Sequence, residues 1–201
     1  MNTSHDPVST TEDYARTTTT GDDASATTAG YSSHATTAGY SSRATTTGDY
    51  APAATTGDYA HAATTGDYAH AATTGSLANT TAAGDFANAA TTGDYACATT
   101  TGDYAHAATT GDYSPATTAG QLAHAATTGL RSSASVSGEN AIAAAFGANS
   151  VAKAANGGFI ALAQYDGTAI VAVKTAQVGR DGIKPDTWYT LSPTGEFVEA
   201  E

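Results

Sequence analysis

The chain has 201 residues, a net charge of −12 and only 13% charged residues. Leu, Ile, Val and Phe together make 20 residues, about a tenth of the chain, which excludes a large conventional apolar core and would ordinarily indicate disorder. The acidic balance disfavours nucleic acid and anionic membrane as partners, no apolar run approaches the roughly eighteen residues of a transmembrane helix, and one cysteine, Cys97, excludes an internal disulfide framework.

In chain order, residues 1–9 are expected to be a disordered N-terminus. They carry neither a basic n-region nor an apolar h-region, so the chain reads as cytoplasmic, and a single cysteine fits a reducing compartment. The unit 10–18 has Glu12 where later units have glycine and is expected to open a repeat domain over 10–157. From Gly21 to Gly147, fifteen of the 21 glycines keep one nine-residue phase. The clearest units read TTGDYAHAA, as at 55–63 and 64–72. A flexible linker has no need of such a phase, so the repeat overrides the indication of disorder.

Counted from each glycine, the third position is Ala or Ser (Ala51, Ala60, Ser114), the fifth is Ala with Thr80 as the exception, and the seventh is usually Thr (Thr55, Thr64, Thr100). These share one parity and face one way on an extended strand. The opposite parity holds a variable fourth position (His34, Arg43, Pro52, His61, Asn79, Cys97) and mixed Ala and Thr at the sixth and eighth. The small, uniform face is therefore buried and the variable face exposed. Each strand ends in a Gly-Asp turn, where glycine supplies φ > 0 and the aspartate caps. A closed coil of nine residues is too tight for a six-residue strand, so two units make one eighteen-residue coil. The predicted fold is all-β, a parallel β-solenoid with two sheets back to back.

After Gly129 the repeat degenerates and larger side chains enter, as Ile142, Phe146 and Val151. Residues 158–201 read as a C-terminal antiparallel β-meander cap of four strands. Asp166-Gly167 turns the first hairpin, 179–182 forms a second turn, and 192–195 turns the last hairpin. This cap is expected to cover the open end of the solenoid.

Two candidate surfaces emerge. The second position carries an aromatic edge ladder, Tyr50, Tyr59, Tyr68, Phe86, Tyr95, Tyr104 and Tyr113, with Leu77 and Leu122 in the same column; eighteen-residue coils divide it into two stacked ladders, one along each edge. It shields the thin core or serves as a dimerisation strip. The outward rows Thr47, Thr56, Thr65, Thr74, Thr92, Thr101 and Thr110 form a candidate ice or interaction face. Outward Thr-x-Thr pairs are read at Thr45/Thr47 and Thr99/Thr101. The first-position aspartates, such as Asp49, Asp58 and Asp67, read as turn caps; one glycine and one aspartate per repeat do not make a calcium roll. Among the outward histidines only His106 and His124 are neighbours in an eighteen-residue coil, so no metal site is expected. No catalytic constellation, nucleotide loop or CxxC is present, so neither an enzyme nor a cofactor is expected.

GENAIAAAFGANSVAKA (138–154) and the pattern G-x-x-[AS]-x-A resemble the head repeats of trimeric YadA-type adhesins, which implies a β-roll. TTAGYSSHATTAGYSS (27–42) resembles bacterial ice-nucleation repeats, which implies Thr rows and a Tyr ladder. The repeats followed by ALAQYDG and KPDTWYTLSPTGEFVE are similar to a bacterial and prophage-type group of solenoid proteins of unassigned function. Three readings follow. The first is a non-enzymatic structural or protein-interaction solenoid, a homo-oligomer with a dimer favoured, open to a further protein partner. The second is an ice-binding protein using the Thr/Ala rows. The third is an acidic decoy that mimics DNA.

Overall fold

The computed structural model describes residues 7–180 and 182–200. Strand β1 (Val8–Thr10) pairs with β3 (Ser25–Ala29), Val8 beside Ala26, so the paired strands already include Val8, two residues before the expected residue 10. Residues 1–6 of the expected disordered segment lie outside the described residues. From β2 (Arg16–Thr20) to β17 (Val151–Ala154), strands of four or five residues follow one another along the repeat. Alternate strands enter alternate sheets, here called sheet 1, which starts at β1, and sheet 2, which starts at β2. Neighbours within a sheet are parallel and eighteen residues apart, as Ala53 beside Ala71 and Ala62 beside Thr80. Two units therefore make one coil.

The alternation follows from side-chain size. In Arg43–Thr47 the burial pattern alternates strictly, with Ala44 and Thr46 fully buried between exposed neighbours. Ala and Thr fill the interior along the whole rod, so little apolar area is available there. Hydrogen-bonded ladders and close packing must supply what side-chain burial does not. Thr80 shows how tightly volume is held. It places Thr at the fifth position of the unit whose seventh position is Ala82, and its Oγ1 lies 2.8 Å from Thr73 Oγ1.

Corners from Gly21 to Gly102, and the one at Gly120, have two residues of positive φ, where the sequence indicated glycine alone; those at Gly111, Gly129, Gly138 and Gly147 keep only the second-position one. Gly66 has φ +141°, and a Cβ there would overlap the carbonyl of Gly48 one coil back. Tyr68, two residues on, has φ +58°, and Leu77 and Phe86 in the same column have +57° and +58°. That region costs a bulky L-residue about 1–2 kcal/mol. Interlocking of the coils offsets the cost: Gly66 N–H donates to Ala83 O at 2.8 Å, and Tyr68 N–H to Asp85 O at 2.9 Å.

At the C-terminal end the antiparallel strands divide between the two sheets. Strand β18 (Phe159–Asp166) adds in parallel to β16 (Ile142–Ala145), and β19 (Ala169–Gln177) folds back on it through Gly167. This hairpin ends sheet 2. Strand β20 (Tyr189–Leu191) pairs antiparallel with β17, and β21 (Phe197–Glu199) closes sheet 1. Asp181, in the expected turn between the hairpins, lies outside the described residues. The interior here holds Ile160, Leu162, Val178, Ile183 and Tyr189, all buried. No helix among the described residues is long and apolar enough to cross a membrane.

Candidate functional site

The fixed left-handed corner aims every second-position side chain the same way, and the eighteen-residue register stacks them. On one edge Tyr50, Tyr68, Phe86 and Tyr104 form an unbroken stack, with centroids 4.8–4.9 Å apart and planes within 3°. These rings are 40–48% exposed, so they cover the corner and still present an aromatic strip. On the other edge Tyr95 stacks on Tyr113 at 5.0 Å, while Leu77 occupies the coil between Tyr59 and Tyr95. The ladder forms as the two stacks expected of eighteen-residue coils, one of them continuous through four rings. Tyr31 and Tyr40, in the first position of their units, still reach Tyr50 at 5.6 Å and Tyr59 at 5.2 Å. Arg131 extends the second ladder, its guanidinium 5.9 Å from the Tyr113 ring centroid.

The aspartates cap across coils. Asp67 Oδ1 accepts from the backbone N–H of Asp85 at 2.9 Å, and Asp49 Oδ1 accepts from that of Asp67 at 3.0 Å. Asp103 serves Gln121, and Asp112 serves Leu130, both at 2.8 Å. The first-position N–H points back toward the preceding coil, and the carboxylate of that coil supplies its acceptor. Each edge therefore carries a row of carboxylates beside its aromatic ladder.

The predicted threonine face divides as well. Thr47, Thr65 and Thr101 stand on sheet 1, where Ala83 interrupts them; Thr47 and Thr65 are direct neighbours. Thr56, Thr74 and Thr92 are consecutive neighbours on sheet 2, and Thr110 follows in the next coil. Both Thr-x-Thr pairs lie on sheet 1, and the sequence reading missed a third, Thr18/Thr20, on sheet 2. The sixth position separates the faces most sharply. On sheet 2, Ala54, Ala72, Ala90, Ala108, Ala126 and Ala144 form one alanine column. On sheet 1 the same column is mainly threonine, from Thr27 and Thr45 to Thr99 and Thr117, with Ala63 within it. Read every nine residues this column is a mixture; read every eighteen, sheet 2 is alanine from Ala54 to Ala144 after Thr18 and Thr36, and sheet 1 is mainly threonine.

The fourth position on sheet 2 brings His106 and His124 together as expected, rings stacked at 5.0 Å. Burial, and then the neighbouring His106, hold the His124 pKa below the ordinary value of 6.5. Asn88 Nδ2 lies 3.1 Å from His70 Nδ1 in the same column. His61 stands on sheet 1 between Arg43 and Asn79. Half-buried Cys97 is on that face too, its Sγ 3.6 Å from Thr99 Oγ1. Among the described residues no group of three or more His, Cys, Asp or Glu is placed to hold a metal ion. Between the two C-terminal hairpins lies a shallow cleft of about 710 Å³, lined by Thr175, Ala176, Ile183, Tyr189, Phe197 and Glu199. Lys184 pairs with Glu199 at 2.6 Å beside it. Comparison with known proteins finds no matching family model, no matching curated protein and no matching solved structure.

Proposed function

We propose that the chain is a non-enzymatic interaction rod that self-associates. One observation carries this reading: between residues 10 and 157 every Asp and Glu sits in a corner. The outward strand positions of the solenoid then hold only three charges, Arg16, Arg43 and Lys153. Two broad, regular, almost uncharged faces can meet another surface with little desolvation cost. A protein carrying −12 at pH 7 stays soluble through its edges while its faces remain free. A reducing, cytoplasmic setting belongs to the same proposal, supported by the single cysteine. Membership of a prophage-type solenoid group, or kinship with adhesin heads, is compatible with an assembly role. The test is molar mass by light scattering from low to high micromolar concentration. A dimer is expected, and a single-chain mass throughout rules the reading out. If the aromatic edge is the contact, Tyr59→Ser with Tyr95→Ser abolishes the dimer.

The second reading is ice binding, favoured by the in-register run of Thr56, Thr74 and Thr92 beside the alanine column. Ice-recrystallisation inhibition that disappears in Thr74→Lys would establish it; no inhibition at high micromolar concentration removes it. An acidic decoy has the least support. Two aspartates per coil at about 4.8 Å rise give at best one charge per about 2.4 Å, against one per about 1.7 Å in DNA. Ser76, Gln121 and Leu130 interrupt even those rows.

A further inference from the structure

We propose that the outer face of sheet 2 is the self-association surface, covered by a second copy of this chain with the two rods parallel and alanine column against alanine column. This inference rests on the self-association reading and names its surface.

The edges are poor contacts. Tyr50, Tyr68 and Phe86 stand beside the carboxylates of Asp49, Asp67 and Asp85, so joining two edges brings like-charged rows together. Sheet 1 is a poorer face than sheet 2. Its sixth-position column is hydroxyl-rich and ends in Lys153, and Arg43 projects from the fourth. Sheet 2 has Arg16 at its far N-terminal end and no other charge on its outward solenoid positions. Its alanine column presents methyl groups only, and exposed Ala72, Ala90 and Ala108 leave room for close sheet-to-sheet approach.

The column runs from Ala144 into Ala161, and there larger apolar side chains join the face, with Thr175 and Gln177 beside them. Ile142 and Phe159 are neighbours, 37% and 42% exposed, and Val173 on β19 is 53% exposed. A two-fold axis along the rod, over the alanine column, sets Ile142 and Phe159 of one copy over the eighth-position column of the other, where Val173 stands beside Ala163. It also sets the His and Asn column of one chain over the Thr column of the other, pairing ring nitrogens and amides with hydroxyls. Antiparallel rods would instead lay this apolar end over the Arg16 end of the partner.

The area suffices. Ten strands at about 4.8 Å and five residues at about 3.3 Å give about 800 Å² of face per copy and about 1,600 Å² in all, within the range of stable dimers.

The experiment measures molar mass of the wild type, of Ala90→Lys/Ala108→Lys on sheet 2, and of Ala63→Lys in the equivalent column of sheet 1. The expected result is twice the 19.9 kDa chain mass for the wild type and Ala63→Lys, and the single-chain mass for the double variant. A wild type at single-chain mass at every concentration overturns self-association itself. A dimer that survives Ala90→Lys/Ala108→Lys overturns only the assignment to this face. A second variant covers the case in which the lysines disturb folding. Ala90→Cys in a Cys97→Ser background, treated with diamide, is expected to give a disulfide-linked dimer, because Ala90 meets its own copy near the axis. An Ala90→Cys protein that remains dimeric and does not cross-link refutes the arrangement.

Discussion

The middle of the solenoid and its C-terminal end continue the same two sheets and are held together by different physics. Between residues 48 and 129 the interior is Ala, Ser and Thr, and stability comes from repeated, interlocked corners. Beyond Val136, the first valine in the seventh-position column, the interior takes Ile160, Leu162 and Tyr189, and ordinary apolar burial takes over. The difference shows that a chain short of large aliphatics can fold if its backbone repeats closely enough for every coil to template the next. Where the template stops, a conventional core has to close the end. Terminal strands would otherwise expose unpaired backbone groups.

The sharpest way to break this comparison is at a mid-rod corner. Gly84→Ala places a methyl against the carbonyl of Gly66 and requires φ near +138°. It is expected to cost about 4 kcal/mol or more, read as a fall in chemical-denaturation midpoint, because neither neighbouring coil can move alone. Gly167→Ala, in the terminal hairpin with open space around it, is the control and should cost about 1 kcal/mol. At the apolar end, Leu162→Ala removes one of the largest fully buried side chains and should cost about 3 kcal/mol by the same measurement. Equal losses at Leu162→Ala and at a conservative interior change such as Thr100→Ser would erase the distinction between the regions. The smallest effect is at the carboxylate rows. Asp67→Ala leaves the N–H of Asp85 without its side-chain acceptor and should cost about 1 kcal/mol. Asp67→Asn keeps an acceptor and relieves repulsion from Asp49 and Asp85, so at low salt it should match or slightly exceed the wild type.

The buried parity was legible in the sequence because strand geometry has a period of two and the interior admits only small residues. The nine-residue phase and eighteen-residue coil were legible for a similar reason: glycine recurs where coil lies on coil. The corner was only half legible. Tyr50, Tyr68 and Phe86 do not favour the left-handed region, and the tell-tale residues in that column are Asp23, Asn140 and Asn149, which tolerate φ > 0. The cross-coil bonds of Asp67 and Asp85 were not visible, because within one unit an aspartate after glycine reads as an ordinary turn cap. The early start at Val8 was hidden because Thr3, not glycine, stands in its lattice slot.

By itself, then, the sequence determined which side chains are inside, how many residues make a coil, and that the repeat's aspartates sit in its turns. These depend on local alternation and on a repeat that any stacked arrangement must respect. Only the tertiary structure showed the sixth-position column as mainly alanine on one face and mainly threonine on the other. It also decided that the final hairpins end separate sheets. Those outcomes depend on contacts between residues eighteen or more apart, which no single unit encodes.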